Sequence, residues 1–199
     1  MRFASAFLSS AAFAALAVTV AAGAFTGLDQ WAVNHLMPGG HFTGGEPSLV
    51  DALVPLAGTH WESAWSVAAA VVAAPASFLV SLALTAWRSR PLALAVVAGT
   101  AVETLCKHVL TRPELHHGAT HVIPFDDSFP SGHALRIVIV AAAFASRAAA
   151  VWAVAALVLI ELAGWHVPTD LAGGVLLGLL ALACARALGR RRLARSRAR

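Results

Sequence analysis

Charge is scarce in this sequence. Only 12% of its 199 residues are Asp, Glu, Lys or Arg, whereas 59% are hydrophobic and the mean hydropathy is +0.75. A soluble domain is about 45–50% apolar and about 25% charged. The deficit excludes an ordinary cytosolic enzyme, a disordered chain and a nucleic-acid-binding domain, so no nucleic-acid partner is expected. It predicts an all-α polytopic membrane protein. Cysteine is scarce too. Cys106 and Cys184 fall in apolar stretches near opposite ends of their predicted helices, so they cannot pair. No CxxC occurs, and no disulfide framework is implied. No internal repeat is present, and residues 1–199 read as one domain.

What the chain does have is apolar length. Six runs suit membrane spans of about 20 residues: 3–25, 65–87, 91–109, 131–147, 148–165 and 169–188. A basic tail, 189–199, follows the last. The first run could be a signal peptide, since residues 21–24 are small. It exceeds the h-region of about 7–15 residues, which favours an uncleaved span.

The basic residues set the sidedness. With a cytoplasmic N-terminus, the inner side receives Arg2, Arg88, Arg90, Arg147, Arg186 and the six arginines of the tail, 11 of the 14 Lys and Arg. The positive-inside rule is then met at every cytoplasmic position, and the C-terminus is cytoplasmic as well. Trp31, Trp61, Trp65 and Trp165 fall near the outer interface, Trp87 and Trp152 near the inner one. The arginine-rich tail reads as a topology anchor on anionic lipid of the plasma membrane.

Lys107, Arg112 and Arg136 are the remaining cations. All nine histidines and all ten acids join them on the outer side or in the outer half of a span. This segregation locates a polar site at the outer membrane face. The long outer loop, 26–62, contains a short interfacial helix expected at Asp29–Leu36, ended by Pro38-Gly39-Gly40. Ser48 is positioned to cap another running through Leu56. His35, His41 and His60 lack ligand spacing and read as interfacial polar residues.

Three outer segments carry the chemistry. The first is Lys107-His-Val-Leu-Thr-Arg112-Pro113, where the third span exits. Lys107 and Arg112 supply the positive field that a phosphate needs. The alternative is snorkelling, with Lys107 paired to Glu103 at i,i+4. The second is Ser128-Phe-Pro130-Ser131-Gly132-His133, where the fourth span begins. Ser131 and Gly132 leave backbone N–H groups free at a helix N-terminus, where phosphate binds readily. Gly132 also permits close approach of a ligand. A plain N-cap would use the same residues. The third is His166-Val-Pro-Thr-Asp170, joining the fifth and sixth spans. A carboxylate beside an imidazole fixes its tautomer and stabilises the imidazolium, as a nucleophilic histidine requires. An interfacial histidine bonded to a nearby acid would share the spacing.

Together these segments resemble the type 2 phosphatidic acid phosphatase (PAP2) superfamily, in its membrane-embedded lipid phosphatase branch. That family reads K-x6-R-P, then P-S-G-H, then S-R-x5-H-x3-D, and the resemblance covers about residues 100–180. It implies a six-helix membrane bundle. It also implies hydrolysis of a lipid phosphate or diphosphate without metal or other cofactor. Prenyl diphosphates, phosphatidic acid and phosphatidylglycerol phosphate are candidate substrates. By this resemblance His166 is the nucleophile forming a phosphohistidine, Asp170 orients it, and His133 protonates the leaving alcohol. Lys107, Ser131 and Gly132 hold phosphate oxygens.

The chain departs from the pattern at two arginines. Glu114 and Leu115 stand where the first motif has its Arg-Pro, with Arg112-Pro113 two residues earlier. Leu159 and Ile160 stand where the third motif has Ser-Arg. Arg136, one turn into the fourth span, is open to two readings. It replaces the missing third-motif arginine at the phosphate, or it forms a structural ion pair with Glu161 or Glu103, and the two readings are compatible.

The departures motivate a second expectation, a catalytically impaired homologue that binds lipid phosphate without turnover. A transporter is the weakest reading, since paired broken segments in two halves are lacking. The loop 114–128 holds His116, His117, His121, Asp126 and Asp127. It lacks zinc-ligand spacing and reads as a solvated flank of the pocket.

Overall fold

The computed structural model describes residues 2–37, 64–117, 120–121 and 127–197. The expected helix from Ser48 to Leu56, together with His41, His60, Trp61 and Asp126, lies outside the described residues.

The first apolar run forms α1 (Arg2–Ala21) and then turns into α2 (Thr26–His35), which leaves at 77°. Gly23 makes the turn possible, because its φ of +76° is costly for any residue with a Cβ. A Cβ there would also sit 2.9 Å from the Pro113 ring, so the turn is packed on the first chemical segment. The helix expected from Asp29 is thus present and begins three residues earlier.

The second run divides into α3 (Ala64–Ala73), a 3-10 turn (Ala74–Ala76) and α4 (Phe78–Arg88). Pro75 lies in the break, where it has no N–H for the helical ladder. The interruption frees the Ala76 carbonyl, which the site uses. Ser89 then leads into α5 (Arg90–Val109), with Pro91 in its first turn, where proline is well tolerated. Beyond α5 a two-residue antiparallel hairpin pairs β1 (His116–His117) with β2 (Thr120–His121).

α6 (Gly132–Phe144) and α7 (Arg147–Leu162) both start on serine caps. Ser131 Oγ accepts from Ala134 N at 3.2 Å, and Ser146 Oγ accepts from Ala149 N at 3.1 Å. α8 (Pro168–Arg197) begins at a proline and continues through most of the basic tail as one helix.

α8 is the central element, packed on α6, α1 and α5. A Cβ on Gly174 would run into the Ser131 carbonyl, so small residues let α8 meet the start of α6 at backbone distance. The interior holds Ile137, Ile160 and Leu171 in one cluster and Val96, Leu135, Ile139 and Leu177 in another. Large apolar side chains also cover the outside, among them Phe7, Val18, Leu94, Leu105, Val151 and Val154. An apolar exterior of this extent is a liability in water and suits lipid.

The described residues are therefore an all-helical bundle with little else. Three stretches are long and apolar enough to cross a membrane: Ala64–Arg88, Arg90–Val109 and Pro168–Gly189. The bent pair α1–α2 would make a fourth. α6 has 13 residues and α7 has 16, each shorter than the apolar runs expected there.

Candidate functional site

A buried charge cluster ties the segments together. Arg112, carried just beyond α5, donates from Nη1 to Asp170 Oδ1 at 2.9 Å and from Nη2 to Asp29 Oδ2. Asp29 comes from α2 and also accepts from Thr169 N at 3.2 Å and Thr169 Oγ1 at 2.7 Å. It thereby satisfies a first-turn donor of α8 from another helix. Both carboxylates are fully buried. Carboxylates buried on this scale persist only when paired and hydrogen-bonded, and these two are both.

Two carboxylates share one guanidinium, and Asp170 is the one of the two that reaches His166. Asp170 uses Oδ1 for Arg112 and leaves Oδ2 to Ser128 Oγ at 2.5 Å, Val167 N at 3.4 Å and His166 Nδ1 at 3.5 Å. At 3.5 Å the last contact is at the outer limit for a hydrogen bond, and Nδ1 is buried with no bonded partner. His166 Nε2 is the ring nitrogen turned away from the acid.

His133 belongs to the first turn of α6. Its ring centroid is 6.2 Å from that of His166 and 5.6 Å from that of Trp165. The two histidines are brought together although 33 positions separate them. The backbone joins the same elements, since Ser131 N donates to the Asp170 carbonyl at 2.9 Å.

A second cluster lies on the other side of Gly132. Glu103 of α5 accepts from Lys107 Nζ at 2.9 Å through Oε1 and from Arg136 Nη1 at 3.1 Å through Oε2. Arg136 also donates from Nε to the freed Ala76 carbonyl at 2.6 Å and from Nη1 to Thr100 Oγ1 at 3.3 Å. Of the two acids the sequence offered to Arg136, Glu103 is the partner. The Glu103 carboxylate packs so closely on Gly132 that a Cβ there would fall on both of its oxygens. The close approach expected at Gly132 is made by the protein's own side chain.

His166, Asp170, Ser131 and His133 thus converge as the three segments suggested. Arg112 joins them through Asp170, while Lys107, Arg136 and Gly132 converge on Glu103. Ser131 is an N-cap whose side chain serves Ala134 N, and its backbone N–H, expected to be free for phosphate, is instead taken by the Asp170 carbonyl. At the two departures from the family pattern, Glu114 is exposed and Ile160 is fully buried among apolar neighbours.

Asp29 was not legible as a site residue. It read as the start of an interfacial helix, and its partners lie 83 and 140 positions away. Its one sequence signal is being the first acid in an otherwise apolar stretch. Ser128 and Thr169 lie inside the two motif segments, yet nothing local assigns them a partner.

His116 pairs through its backbone with His121. Among the described residues, no group of three His, Cys, Asp or Glu is arranged to hold a metal. Two shallow grooves, about 330 Å³ beside α4 and α5 and about 270 Å³ between α5 and α8, include none of these site residues. Comparison of the chain with protein-family models, curated proteins and solved structures finds no match.

Proposed function

We propose that this chain is a PAP2-type membrane phosphatase. It removes phosphate from a lipid phosphate or diphosphate through a phosphohistidine. The observation that carries the reading is the meeting of His166, Asp170 and His133 from separate segments at the Ser131–Gly132 helix start. In this reading the bundle has six spans, with α6 and α7 as the fourth and fifth. Both termini are cytoplasmic and the site opens to the outer face of the plasma membrane. The lipid tail stays in the bilayer while its head reaches the site.

The chemistry follows from the ring geometry. Asp170 lies on the Nδ1 side of His166, so Nε2 is the atom free to attack phosphorus. The N–P bond forms as the ester or anhydride P–O bond breaks, and His133 gives its proton to the leaving oxygen. Water then attacks phosphorus, His133 takes its proton, and the P–N bond breaks to release inorganic phosphate. Asp170, held in place by Arg112 and Ser128, stabilises the positive charge that develops on His166. Lys107 and Arg136 offset charge on the phosphate oxygens.

One observation favours a second reading, a homologue that binds lipid phosphate without turnover. Both guanidiniums near the site, Arg112 and Arg136, are already engaged by carboxylates. Phosphate release by purified protein from a panel of lipid monophosphates and diphosphates separates the two. The phosphatase reading expects release that His166→Ala abolishes. It expects His133→Ala to slow release strongly, and less so with a better leaving group. Near-normal release by His166→Ala would refute the mechanism, and binding without release by the parent protein would establish the second reading.

A further inference from the structure

Glu103 is a buried acid that the proposed mechanism does not use. Its side chain is 9% exposed, and its two oxygens are divided between Lys107 at 2.9 Å and Arg136 at 3.1 Å. It lies directly on Gly132, the first residue of the 13-residue helix α6. An ammonium, a guanidinium and a glycine without side chain at a helix start are what a phosphate group would require. Here they surround a carboxylate of the same chain. Carboxylate and phosphate make the same demands on these donors, and two anions in one cradle repel each other.

Resting on the phosphatase reading, we infer that Glu103 is an internal counter-anion holding the cradle in the free protein. Substrate phosphate binds by taking Lys107 and Arg136 from it. Glu103 then sets how tightly any anion must be held to occupy the site, and leaves the ratio of affinities between two anions unchanged. The penalty for displacing it is the same for every incoming anion, because it belongs to the protein and not to the ligand. It therefore keeps weakly held anions, such as the phosphodiester heads of bulk lipid, from occupying the site. A tightly held phosphate monoester or terminal diphosphate still binds.

The arrangement also explains how a membrane-embedded protein tolerates Lys107 and Arg136 together when no substrate is present. The two cations share one counter-charge in the free state and exchange it for the phosphate on binding. Displacement requires the Glu103 carboxylate to swing off Gly132 about its own side-chain bonds.

The test is equilibrium binding of two probes, inorganic phosphate and diethyl phosphate, to the purified full chain. It compares the parent with Glu103→Gln and Glu103→Asp. Melting of each variant is recorded first, since Glu103→Gln leaves Arg136 without its counter-charge. Glu103→Gln should bind both probes tighter by a common factor of about tenfold or more, the worth of one charge-assisted hydrogen bond. Glu103→Asp keeps the charge but withdraws it from Gly132, so it should show a smaller gain in the same direction. It decides the matter if the glutamine variant does not fold. Binding seen only in the variants also supports displacement. Unchanged or weaker binding in a folded variant, or a gain for one probe alone, overturns it and leaves the reading of the site intact. No binding of either probe by parent or variants overturns both.

Discussion

Asp29→Ala probes the part of the site that no motif announces. Asp29 is fully buried and holds three donors, Arg112 Nη2, Thr169 N and Thr169 Oγ1. Removing one member of a buried ion pair costs about 3–5 kcal/mol, because the other charge is left uncompensated. Here Arg112 keeps Asp170 at 2.9 Å, so its charge is still partly met. The lower end, about 3 kcal/mol, is the expected loss. For a chain of this size each kcal/mol moves the melting temperature by about 2–4 °C, so the drop should be about 6–12 °C.

Asp29→Asn retains an acceptor for Thr169 and loses only the charge, so it should cost about 1–3 kcal/mol. Combining Asp29→Ala with Arg112→Met should give a coupling of at least about 1 kcal/mol, since the two side chains share one network. Thermal unfolding in detergent, followed by intrinsic tryptophan fluorescence, reads all of these. If Asp29→Ala melts with the parent, or the two substitutions add independently, the buried cluster does not support the α8 start.

Three further outcomes follow from the same geometry. Gly132→Ala places a methyl on the Glu103 carboxylate and crowds the α6 start. Overpacking of this kind costs about 1–3 kcal/mol, and turnover should fall by more than that loss of stability explains; turnover equal to the parent's would contradict a working surface at Gly132. Arg136→Met strands Glu103 beside Lys107 and should lower stability by about 3 kcal/mol, and adding Glu103→Gln should restore the melting temperature but not the turnover. Activity regained by that double variant would remove Arg136 from the phosphate site. In a background without Cys106 and Cys184, an impermeant thiol reagent should label a cysteine introduced at Gly118 from outside intact cells and not one at Ser196; the reverse pattern would invert the topology.

Much of this was legible in the amino-acid sequence because it depends on short-range rules. The scarcity of charge predicts an apolar helical bundle, and the helix expected over 91–109 is found at Arg90–Val109. The cap alternative at Ser131 was legible because a cap needs only its own next three residues. His166 and Asp170 read as a pair because four positions across a proline turn keep them adjacent. The boundaries of α6 and α7 were less legible. Hydropathy continues through Ala145 and Ser146, whereas the helix stops at a left-handed Ala145 and restarts on a serine cap.

Tertiary packing decided the remainder. Arg136 had Glu161 and Glu103 within its sequence options, and the choice fell to Glu103 because α5 lies against α6 at that level. The Ala76 carbonyl became its third partner only because the break at Pro75 opened a helix 60 positions away. Asp29 meets Arg112 and Thr169 because α1 turns through Gly23 onto Pro113 and carries α2 over the start of α8. These contacts depend on which helix faces meet, and neither hydrophobic periodicity nor local spacing encodes that. The sequence by itself determined where the apolar runs lie and which few charged residues interrupt them; the packing of the helices determined which carboxylate each cation holds.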